Sequence, residues 1–439
     1  MTQYFDNIQE VTLDEVLAFR DEKKYLQDCL LRSHPIVVIC LGINMPGAYK
    51  RFPLADRTFH EGITSLRSSL TCEQIAIVHE EILETAAGLA AFFSVDASPI
   101  KMKEMATNIE DNHPLGRLLD IDVLRANGEK LSRRDSGAQT RPCLICGGDA
   151  FACGRSRTHS AEELQEAALD IILQFQRNKL GDIIARAALR ALVSEAAITP
   201  KPGLVDRANS GAHTDMDFFT FIDSTAAIIP FFRHCAQAGF DNAAHPAILF
   251  KSLVHEGKKA EQTMLQATGG INTHQGLIFS IGLASAAFGT LFRWHDKPAA
   301  EDILNCIASM TGGIENGRMG SIGAREEARL GFPSVRDYAL PALRQALKAG
   351  ASFNDAGLAA LLQLLSVVSD TNIIRRSGSQ TLAKIQHDTA AFLAANPDIN
   401  AITRYAAALD TEFIEKNISP GGCADLLALS LFLYWLTEV

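Results

Sequence analysis

The sequence predicts two parts of different fold class, an N-terminal α+β part followed by an all-α part. Residues 36–41 form a short β-branched run, and residues 115–124 alternate apolar and polar side chains, as strands do. Later in the chain, apolar residues recur at helical spacing in alanine- and leucine-rich segments without a convincing strand. A helix-breaking stretch at 178–181 separates the two patterns, so we predict domains over residues 1–178 and 182–439.

Composition limits the classes of function. The chain has 439 residues, 47% of them hydrophobic, and a formal net charge of −10. The length favours two or three domains. The acidic balance argues against nucleic acid or an anionic membrane as partner, because no domain-wide basic surface is available. The N-terminus lacks a basic start and an apolar signal run, and the apolar stretch 426–436 is too short to span a bilayer. We therefore expect a soluble, cytoplasmic protein.

The first elements follow from local signals. Residues 12–15 form a Thr-x-x-Glu capping box at the start of a helix. The strand at 36–41 ends in a Pro-Gly turn that is followed by Lys50. Residues 75–78 predict a second, weaker strand, and residues 101–112 predict a helix.

The next predicted strand carries two aspartates. Its residues Leu119, Ile121 and Val123 point to one face, whereas Asp120 and Asp122 share the other. Such a carboxylate pair can hold magnesium against a triphosphate, as phosphoryl transfer requires. The alternative is a strand with a solvated acidic face, since a lone Asp-x-Asp is a weak signal.

Residues 141–160 combine cysteines with basic side chains. Three cysteines and a histidine could form a zinc site, although the second and third cysteines are closer in sequence than in most paired zinc knuckles. The arginines and the same histidine would suit a phosphate-rich ligand through bidentate contacts, and we favour this phosphate role. The zinc candidates are Cys143, Cys146, Cys153 and His159, and the basic cluster is Arg141, Arg155, Arg157 and His159.

Three motifs of this half resemble the holo-citrate lyase synthase family, the apo-citrate lyase phosphoribosyl-dephospho-CoA transferases. They are Asn-Met-Pro-Gly-x-x-Lys-Arg-Phe at 44–52, Gly-Arg-Leu-Leu-Asp-Ile-Asp-Val at 116–123 and the cysteine- and arginine-rich segment at 141–160. The resemblance covers about residues 5–178. It implies that a serine hydroxyl of the citrate lyase acyl carrier (gamma) subunit attacks the phosphate next to the ribose, and that pyrophosphate leaves.

This implied reaction is nucleotidyltransferase-like, and a nucleotidyltransferase-like fold for the N-terminal domain is a weaker expectation. Asp120 and Asp122 would be its catalytic and magnesium-binding residues. The substrate- and phosphate-binding residues would be Lys50, Arg117, Arg141, Arg155 and Arg157.

The C-terminal half contains an unusually polar loop at 195–217. Thr199-Pro200 stops the preceding helix, and two prolines and two glycines hold the loop open. Its acids and lysine suit a metal-bridged phosphate site, whereas the alternative is a solvated interhelical loop. The candidate residues are Lys201, Asp206, His213, Asp215 and Asp217.

Four further polar loops occur at 268–276, 323–328, 370–378 and 417–425. The first is a glycine-rich turn that leads into a helix, and exposed backbone N–H groups at such a helix start attract phosphate. The last lies at the start of the terminal apolar helix. Five loops of this kind in an alanine-rich helical domain are hard to explain as linkers alone.

Together the five loops resemble the triphosphoribosyl-dephospho-CoA synthase family over about residues 182–439. The motifs are Pro-Lys-Pro-Gly-Leu-Val-Asp, Ser-Gly-Ala-His-Thr-Asp-Met-Asp, Thr-Gly-Gly-Ile-Asn-Thr-His and Ser-Pro-Gly-Gly-Cys-Ala-Asp-Leu-Leu, with Cys423 as a small departure. The family implies that ATP and 3′-dephospho-CoA give adenine and the 2′-triphosphoribosyl derivative. The 2′-hydroxyl of dephospho-CoA displaces adenine at the anomeric carbon of the ATP ribose.

The implied reaction suggests roles for the loop residues. A carboxylate stabilises the oxocarbenium-like state, a base assists the hydroxyl, a donor protonates adenine, and magnesium and cations hold the triphosphate. The metal or base candidates are Asp206, Asp215, Asp217 and Glu261, and the acid–base candidates are His213 and His274. The substrate- and phosphate-binding candidates are Lys201, Lys258, Gly269, Gly270, Asn272, His274, Arg325 and Arg376.

The two halves predict one bifunctional transferase. The C-terminal half would build the activated prosthetic group of citrate lyase, and the N-terminal half would attach it to the acyl carrier subunit. One alternative is the equivalent pair of activities for malonate decarboxylase, which uses the same prosthetic group. The other is a zinc-dependent interaction module at 143–159 on a helical scaffold.

Overall fold

The computed structural model describes residues 8–243, 246–312 and 323–438. The chain divides into two compact units, Met1–Gln176 and Arg177–Val439. The first unit combines helices with a four-stranded sheet, and the described part of the second is helical. The predicted succession of a small α+β part and a mostly helical part is therefore confirmed.

The first unit is built around one antiparallel sheet, in the order β2-β3-β1-β4. The strands are β1 (Val37–Ile43), β2 (Ile77–Thr85), β3 (Gly88–Val95) and β4 (Leu119–Leu124). The helices are α1 (Leu13–Ser33), α2 (Pro53–Cys72), α3 (Pro99–Asn112) and α4 (Ala150–Ser156). Helix α5 (Ala161–Ala197) begins in this unit and ends in the second.

Strand alternation gives the sheet two buried faces. On one face, Ile39 of β1 and Ile121 of β4 belong to a core that also contains residues of α2 and α3. On the other face, Cys40 and Leu124 belong to a core shared with α1. Because side chains alternate along a strand, Asp120 and Asp122 lie on the α1 face, as the sequence pattern predicts.

Local signals located some elements and missed others. The predicted capping box is present, with the Glu15 backbone N–H donating to Thr12 Oγ1 at 3.3 Å and the Thr12 N–H donating to Glu15 Oε2 at 2.8 Å. The predicted second strand covers only the start of β2, and β3 was not predicted. The β2–β3 connection lacks an Asn-Gly or Asp-Gly turn, so no local signal marks the hairpin.

The described part of the second unit is a stack of helices around buried apolar ones. Its first helices are α6 (Phe218–Asp241), α7 (Pro246–Ala267), α8 (Gln275–Phe292), α9 (Ala300–Thr311) and α10 (Ala324–Arg329). The later ones are α11 (Leu340–Lys348), α12 (Phe353–Val367), α13 (Thr371–Ser377), α14 (Ser379–Ala394), α15 (Ile399–Glu415) and α16 (Gly421–Thr437). A π-helical turn, Val335–Ala339, precedes α11.

Helices α6 and α8 approach each other closely because glycine removes the side chain at their contact. A Cβ added to Gly239 would lie 2.0 Å from the Ala286 carbonyl oxygen, and one added to Gly289 would lie 2.0 Å from that of Ala236. This contact fixes α8, whose first residues form part of the site described below.

The predicted helix break at 178–181 is wrong, because α5 continues through it. Leu180 is fully buried. Gly181 leaves space for Arg233, whose Cγ would lie 2.8 Å from an added Cβ. Asp182 lies within the helix and forms an ion pair with Arg233 at 3.0 Å. Tertiary packing therefore outweighs the low helix propensity of one glycine.

One described helix, α8, is apolar and long enough to cross a bilayer, and a second candidate arises if α12 and α13, which meet at 65°, are counted as one span. In α8, 72% of the apolar window is buried inside the protein. Helices in the core of globular proteins have the same composition, so this observation is weak support for a membrane span.

Candidate active sites

The three predicted N-terminal motifs meet at one end of the sheet. The end of β1 pairs with the start of β4, and the Asn44 N–H donates to the Leu118 carbonyl at 2.7 Å. Arg117 donates to the Pro142 carbonyl, and Arg141 donates to the Gly116 carbonyl at 3.2 Å. The loop at 44–52, the approach to β4 and the cysteine segment are therefore joined by hydrogen bonds.

Asp120 and Asp122 extend from this end of the sheet along the α1 face. Asp122 lies 2.6 Å from Lys130 Nζ and 4.0 Å from Lys23 Nζ. Burial lowers the pKa of Lys23, but the Cys40 thiol and the carboxylates of Asp122 and Asp120 together raise it above its usual value. Two lysines thus balance the charge of Asp122. Asp120 stands nearer the start of β4, where the loops converge.

Some of the predicted basic residues of this unit donate hydrogen bonds to loop carbonyls, and the others are exposed. Lys50 Nζ donates to the Met45 carbonyl at 2.5 Å, and burial together with nearby Arg20 lowers its pKa. Arg117 and Arg141 hold backbone carbonyls, as described above. Arg155 and Arg157 are exposed, and Arg155 stacks on the Phe151 ring at 4.5 Å.

The cysteine segment folds into a compact cluster. One ligand atom from each of Cys143, Cys146, Cys153 and His159 lies within 4.8 Å of all the others. Within the described ranges, this is the only set of three or more such side chains that lie so close. The pKa of the Cys146 thiol is lowered to about 6, first by the nearby His159 ring and then by the Gly148 backbone and the other two thiols.

The second unit contains a cavity of about 660 Å³ at the ends of several helices. The starts of α8 and α16, the polar loop after α5 and the approach to α13 contribute to its wall. Predicted site residues on the wall are Lys201, His213, Asp215, Glu261, Asn272, His274, Arg325 and Arg376. Residues of all five predicted polar loops are therefore brought together around one space.

Asp206 shapes the polar loop from within. Its Oδ2 accepts from the Lys201 N–H at 2.9 Å and from Thr199 Oγ1 at 2.7 Å, and its Oδ1 accepts from the Ala208 and Asn209 N–H groups. Asp206 is buried and is not among the cavity-lining residues. Its contacts assign it to holding the loop rather than to ligand binding.

Lys201 and Glu195 form a buried ion pair on the cavity wall. Lys201 Nζ lies 2.5 Å from Glu195 Oε1, and the two side chains are 1% and 2% exposed. Beside the same cavity, His213 Nε2 lies 2.9 Å from Ser419 Oγ. Burial and nearby Arg376 lower the pKa of His213, so this imidazole is neutral near physiological pH.

Two further acids lie where α13 and α16 begin. Asp370 accepts from the Asn372 N–H at 2.8 Å and from the Cys423 N–H at 2.9 Å, so it caps one helix and contacts the start of the other. Burial raises its pKa against the effect of these bonds. Asp425 lies directly over Gly276, where an added Cβ would be 1.9 Å from Oδ2. Burial and the carboxylates of Glu195 and Asp370 raise the pKa of Asp425 well above its usual value.

His274 is fully buried in a hydroxyl network beside the cavity. Thr273 Oγ1 donates to Ser224 Oγ at 2.7 Å, and Ser224 Oγ lies 2.6 Å from His274 Nδ1. The opposite ring nitrogen, Nε2, is buried without a hydrogen-bond partner in the described structure. Burial, with a contribution from the Lys201 charge, lowers the pKa of His274 to about 3, so the ring is neutral.

Other predicted residues lie away from the cavity wall. Asp217 caps α6 through the Thr220 N–H at 2.9 Å, and Lys258 is exposed on α7. Gly269 and Gly270 adopt positive φ in the turn before α8, where an added Cβ would meet no atom within 4 Å.

The cavity also contains residues that the sequence did not single out, namely Glu195, Asp370 and Asp425. Sequence signals could have identified two of these three residues. Asp370 stands immediately before a helix, which is a capping position, and Asp425 is the one acid at the start of an otherwise apolar helix.

The fold and the sites define a two-domain enzyme for phosphate-bearing ligands. Residues 11–175 match the family model described as apo-citrate lyase phosphoribosyl-dephospho-CoA transferase. Residues 182–314 and 315–439 match the model described as ATP:dephospho-CoA triphosphoribosyl transferase.

Similar proteins match the chain over nearly its full length or over one part of it. The chain is 31% identical to Protein CitXG of Leuconostoc mesenteroides subsp. cremoris over 98% of both chains. It is also 31% identical to Protein CitXG of Haemophilus influenzae over 96% of both chains. A probable 2-(5''-triphosphoribosyl)-3'-dephosphocoenzyme-A synthase of Pectobacterium carotovorum is 42% identical, over 58% of this chain and 90% of its own.

The chain belongs to the CitXG family, in which the two transferase families are fused in one polypeptide. It is a transferase of citrate lyase prosthetic-group biosynthesis and attachment, which confirms the predicted resemblance and function. Neither the malonate decarboxylase alternative nor the zinc-dependent interaction module is favoured by these similarities.

Proposed function

We propose that the C-terminal unit converts ATP and 3′-dephospho-CoA into 2′-(5″-triphosphoribosyl)-3′-dephospho-CoA and adenine. The N-terminal unit then transfers phosphoribosyl-dephospho-CoA to a serine of the citrate lyase acyl carrier subunit and releases pyrophosphate. The observation that carries the first assignment is the cavity, because it combines cations, helix starts, high-pKa acids and a neutral buried imidazole.

The triphosphate finds suitable partners at the cavity wall. The starts of α8 and α16 line the cavity, and helix N-termini carry unpaired N–H groups and a partial positive charge. Arg325 and Arg376 also line it, and guanidinium groups bind phosphate in a bidentate manner. Lys201 is already paired with Glu195, so we assign the direct phosphate contacts to the arginines.

Asp425 and His274 suit the exchange at the anomeric carbon. The new bond joins the dephospho-CoA 2′-oxygen to this carbon, and the bond to adenine breaks. In its ionised form Asp425 would accept the hydroxyl proton, since burial and the neighbouring carboxylates raise its pKa and so make this carboxylate a stronger base. Ser224 Oγ accepts a hydrogen bond from Thr273, so its own O–H can point to His274 Nδ1, and the proton of the neutral ring then lies on Nε2. This N–H would donate a hydrogen bond to the departing adenine nitrogen. The proton that adenine gains balances the one that the hydroxyl loses to Asp425.

Magnesium fits this cavity as a partner of the triphosphate. Magnesium in nucleotide sites uses one or two carboxylates together with phosphate oxygens. Asp215 and Glu261 line the cavity and offer such oxygens, so we propose that they hold the ion. The ion would neutralise phosphate charge when bound.

The N-terminal unit suits nucleotidyltransferase-type chemistry. Asp120 and Asp122 share one strand face at an end of the sheet where three motif loops converge. Paired carboxylates hold the ions that neutralise a diphosphate leaving group, and we propose this role for both. Exposed Arg155 and Arg157 would contact the phosphates or the acyl carrier subunit.

Two variants separate the proposed activities. Full-length Asp425→Asn should lose adenine release from ATP and dephospho-CoA by at least about 100-fold, which is the usual contribution of a general base. It should still load the carrier from purified triphosphoribosyl-dephospho-CoA. Asp120→Asn should show the reverse pattern. The variant Asp388→Asn changes an acid on α14 that is not among the cavity-lining residues, so it serves as control and should keep both activities. Retention of adenine release in Asp425→Asn would refute its role, and loss of neither activity in Asp120→Asn would refute the N-terminal assignment.

A further inference from the structure

We propose that Cys143, Cys146, Cys153 and His159 bind one structural zinc ion that holds residues 141–159 against the approach to β4. The ligand set is three thiols and one imidazole, and their ligand atoms lie within 4.8 Å of one another. Zinc–sulfur bonds of about 2.3 Å in a tetrahedral site place ligand atoms roughly 3.8 Å apart. The Cys146 and Cys153 sulfurs are 3.5 Å apart, close to this value.

A second observation points to a missing ligand at the cluster. His159 Nε2 is buried and has no hydrogen-bond partner in the described structure. A buried polar nitrogen without a partner is costly, and coordination to a metal removes that cost. A disulfide between Cys146 and Cys153 does not account for the cluster, since a sulfur–sulfur bond is about 2.05 Å long.

The local backbone is folded as a metal-binding knuckle. The Gly147 N–H donates to the Cys143 carbonyl at 3.2 Å, and Gly147 has a φ of 72° that turns the chain directly after the second cysteine. Asp149 caps α4, which carries Cys153. The chain then reverses at Arg157, which has a φ of 48°, and reaches His159.

This segment has too little apolar core to hold that shape unaided. Among residues 141–160 only Cys143 is buried, and Ile145 and Phe151 are 42% and 68% exposed. Small units without a core depend on metals or disulfides for their fold. Four protein ligands complete the zinc shell, so the ion is structural and leaves no position for substrate.

The knuckle is tied to the strand that carries Asp120. Pro142 accepts a hydrogen bond from Arg117, and Arg141 donates to the Gly116 and Leu119 carbonyls. A zinc ion would therefore position the loop beside the paired aspartates, while Arg155 and Arg157 remain exposed on the same segment. His159, a candidate for both roles, is thus assigned to zinc, and the phosphate role stays with the arginines.

The test is metal analysis of the full-length chain purified after growth with added zinc. We expect about one zinc per chain in the natural protein and in the control Cys72→Ser, which changes an exposed cysteine outside the cluster. Cys146→Ser and His159→Gln should each lose most of the zinc. The natural protein should also bind cobalt with the visible absorption of a tetrahedral thiolate site, a measurement that does not depend on the folding of any variant.

Assays of the two activities provide an independent test of the zinc site. A zinc-selective chelator, used with magnesium in excess, should lower carrier loading from purified triphosphoribosyl-dephospho-CoA while adenine release continues. Adenine release therefore reports on the proposed function separately from the zinc site. Absence of stoichiometric zinc and of the cobalt spectrum would overturn the proposal, as would ligand variants that keep the full zinc content, or a Cys146–Cys153 disulfide found by thiol counting.

Discussion

Replacement of Lys201 by methionine should destabilise the C-terminal unit strongly. Lys201 and Glu195 are 1% and 2% exposed, and their charged atoms are 2.5 Å apart. Methionine has a similar length and no charge, so the variant leaves Glu195 buried without its partner. The remaining carboxylate would act on Asp425, whose pKa is raised by burial and then by repulsion from Glu195.

The expected loss is about 3–5 kcal/mol, the usual cost of removing one partner of a buried ion pair. Such a loss is a large part of the total stability of a typical domain, which is roughly 5–15 kcal/mol. Adding Glu195→Gln should recover part of it, because the second change removes the unpaired charge. The double-mutant cycle should therefore give a coupling energy of at least about 2 kcal/mol.

Urea denaturation followed by tryptophan fluorescence measures this loss in the full chain. The two tryptophans, Trp294 and Trp435, both lie in the C-terminal unit, so the signal reports on that unit. Lys348→Met removes an exposed lysine and should change the unfolding free energy by less than about 0.5 kcal/mol. A Lys201→Met loss below about 1 kcal/mol, or additive single and double variants, would refute the buried-pair reasoning.

Local sequence signals predicted elements where the chain itself determines the structure. The Thr12–Glu15 capping box, the alternation of β4 and the glycine-rich turn before α8 each depend on neighbouring residues. Strand β3 and the continuity of α5 could not be predicted in this way. The first depends on pairing with β1 and β2, and the second on the packing of Arg233 against Gly181.

The sequence predicted which loops form the site better than it predicted the roles of the individual residues in those loops. Polar motifs predicted the segments around the cavity, because ligand contacts require polar residues at helix ends. They could not distinguish Asp206, whose oxygens are used within its own loop, from Asp425, whose carboxylate faces Gly276. That difference depends on contacts between distant segments. The same limit applies to Glu195, which acquires its significance only through Lys201.

Two further changes test the cavity. Gly276→Ala should lower adenine release at least about tenfold, because the added Cβ would lie 1.9 Å from Asp425 Oδ2. The control Gly257→Ala on α7, where an added Cβ meets no atom closer than 4.0 Å, should have little effect. Equal activities of the two variants in an adenine-release assay would contradict the close contact. The second change concerns His274, whose pKa falls from 6.5 to about 3 on folding. Below pH 6.5 the unfolded chain binds a proton that the folded chain does not, so acidification destabilises the fold by up to about 1.4 kcal/mol per pH unit. His274→Gln removes this contribution, while Asp370 and Asp425, whose raised pKa values act in the opposite direction, remain in both proteins. Urea titrations at several pH values should therefore show a shallower loss of stability in the variant, and parallel pH profiles would mean that His274 is protonated in the folded protein.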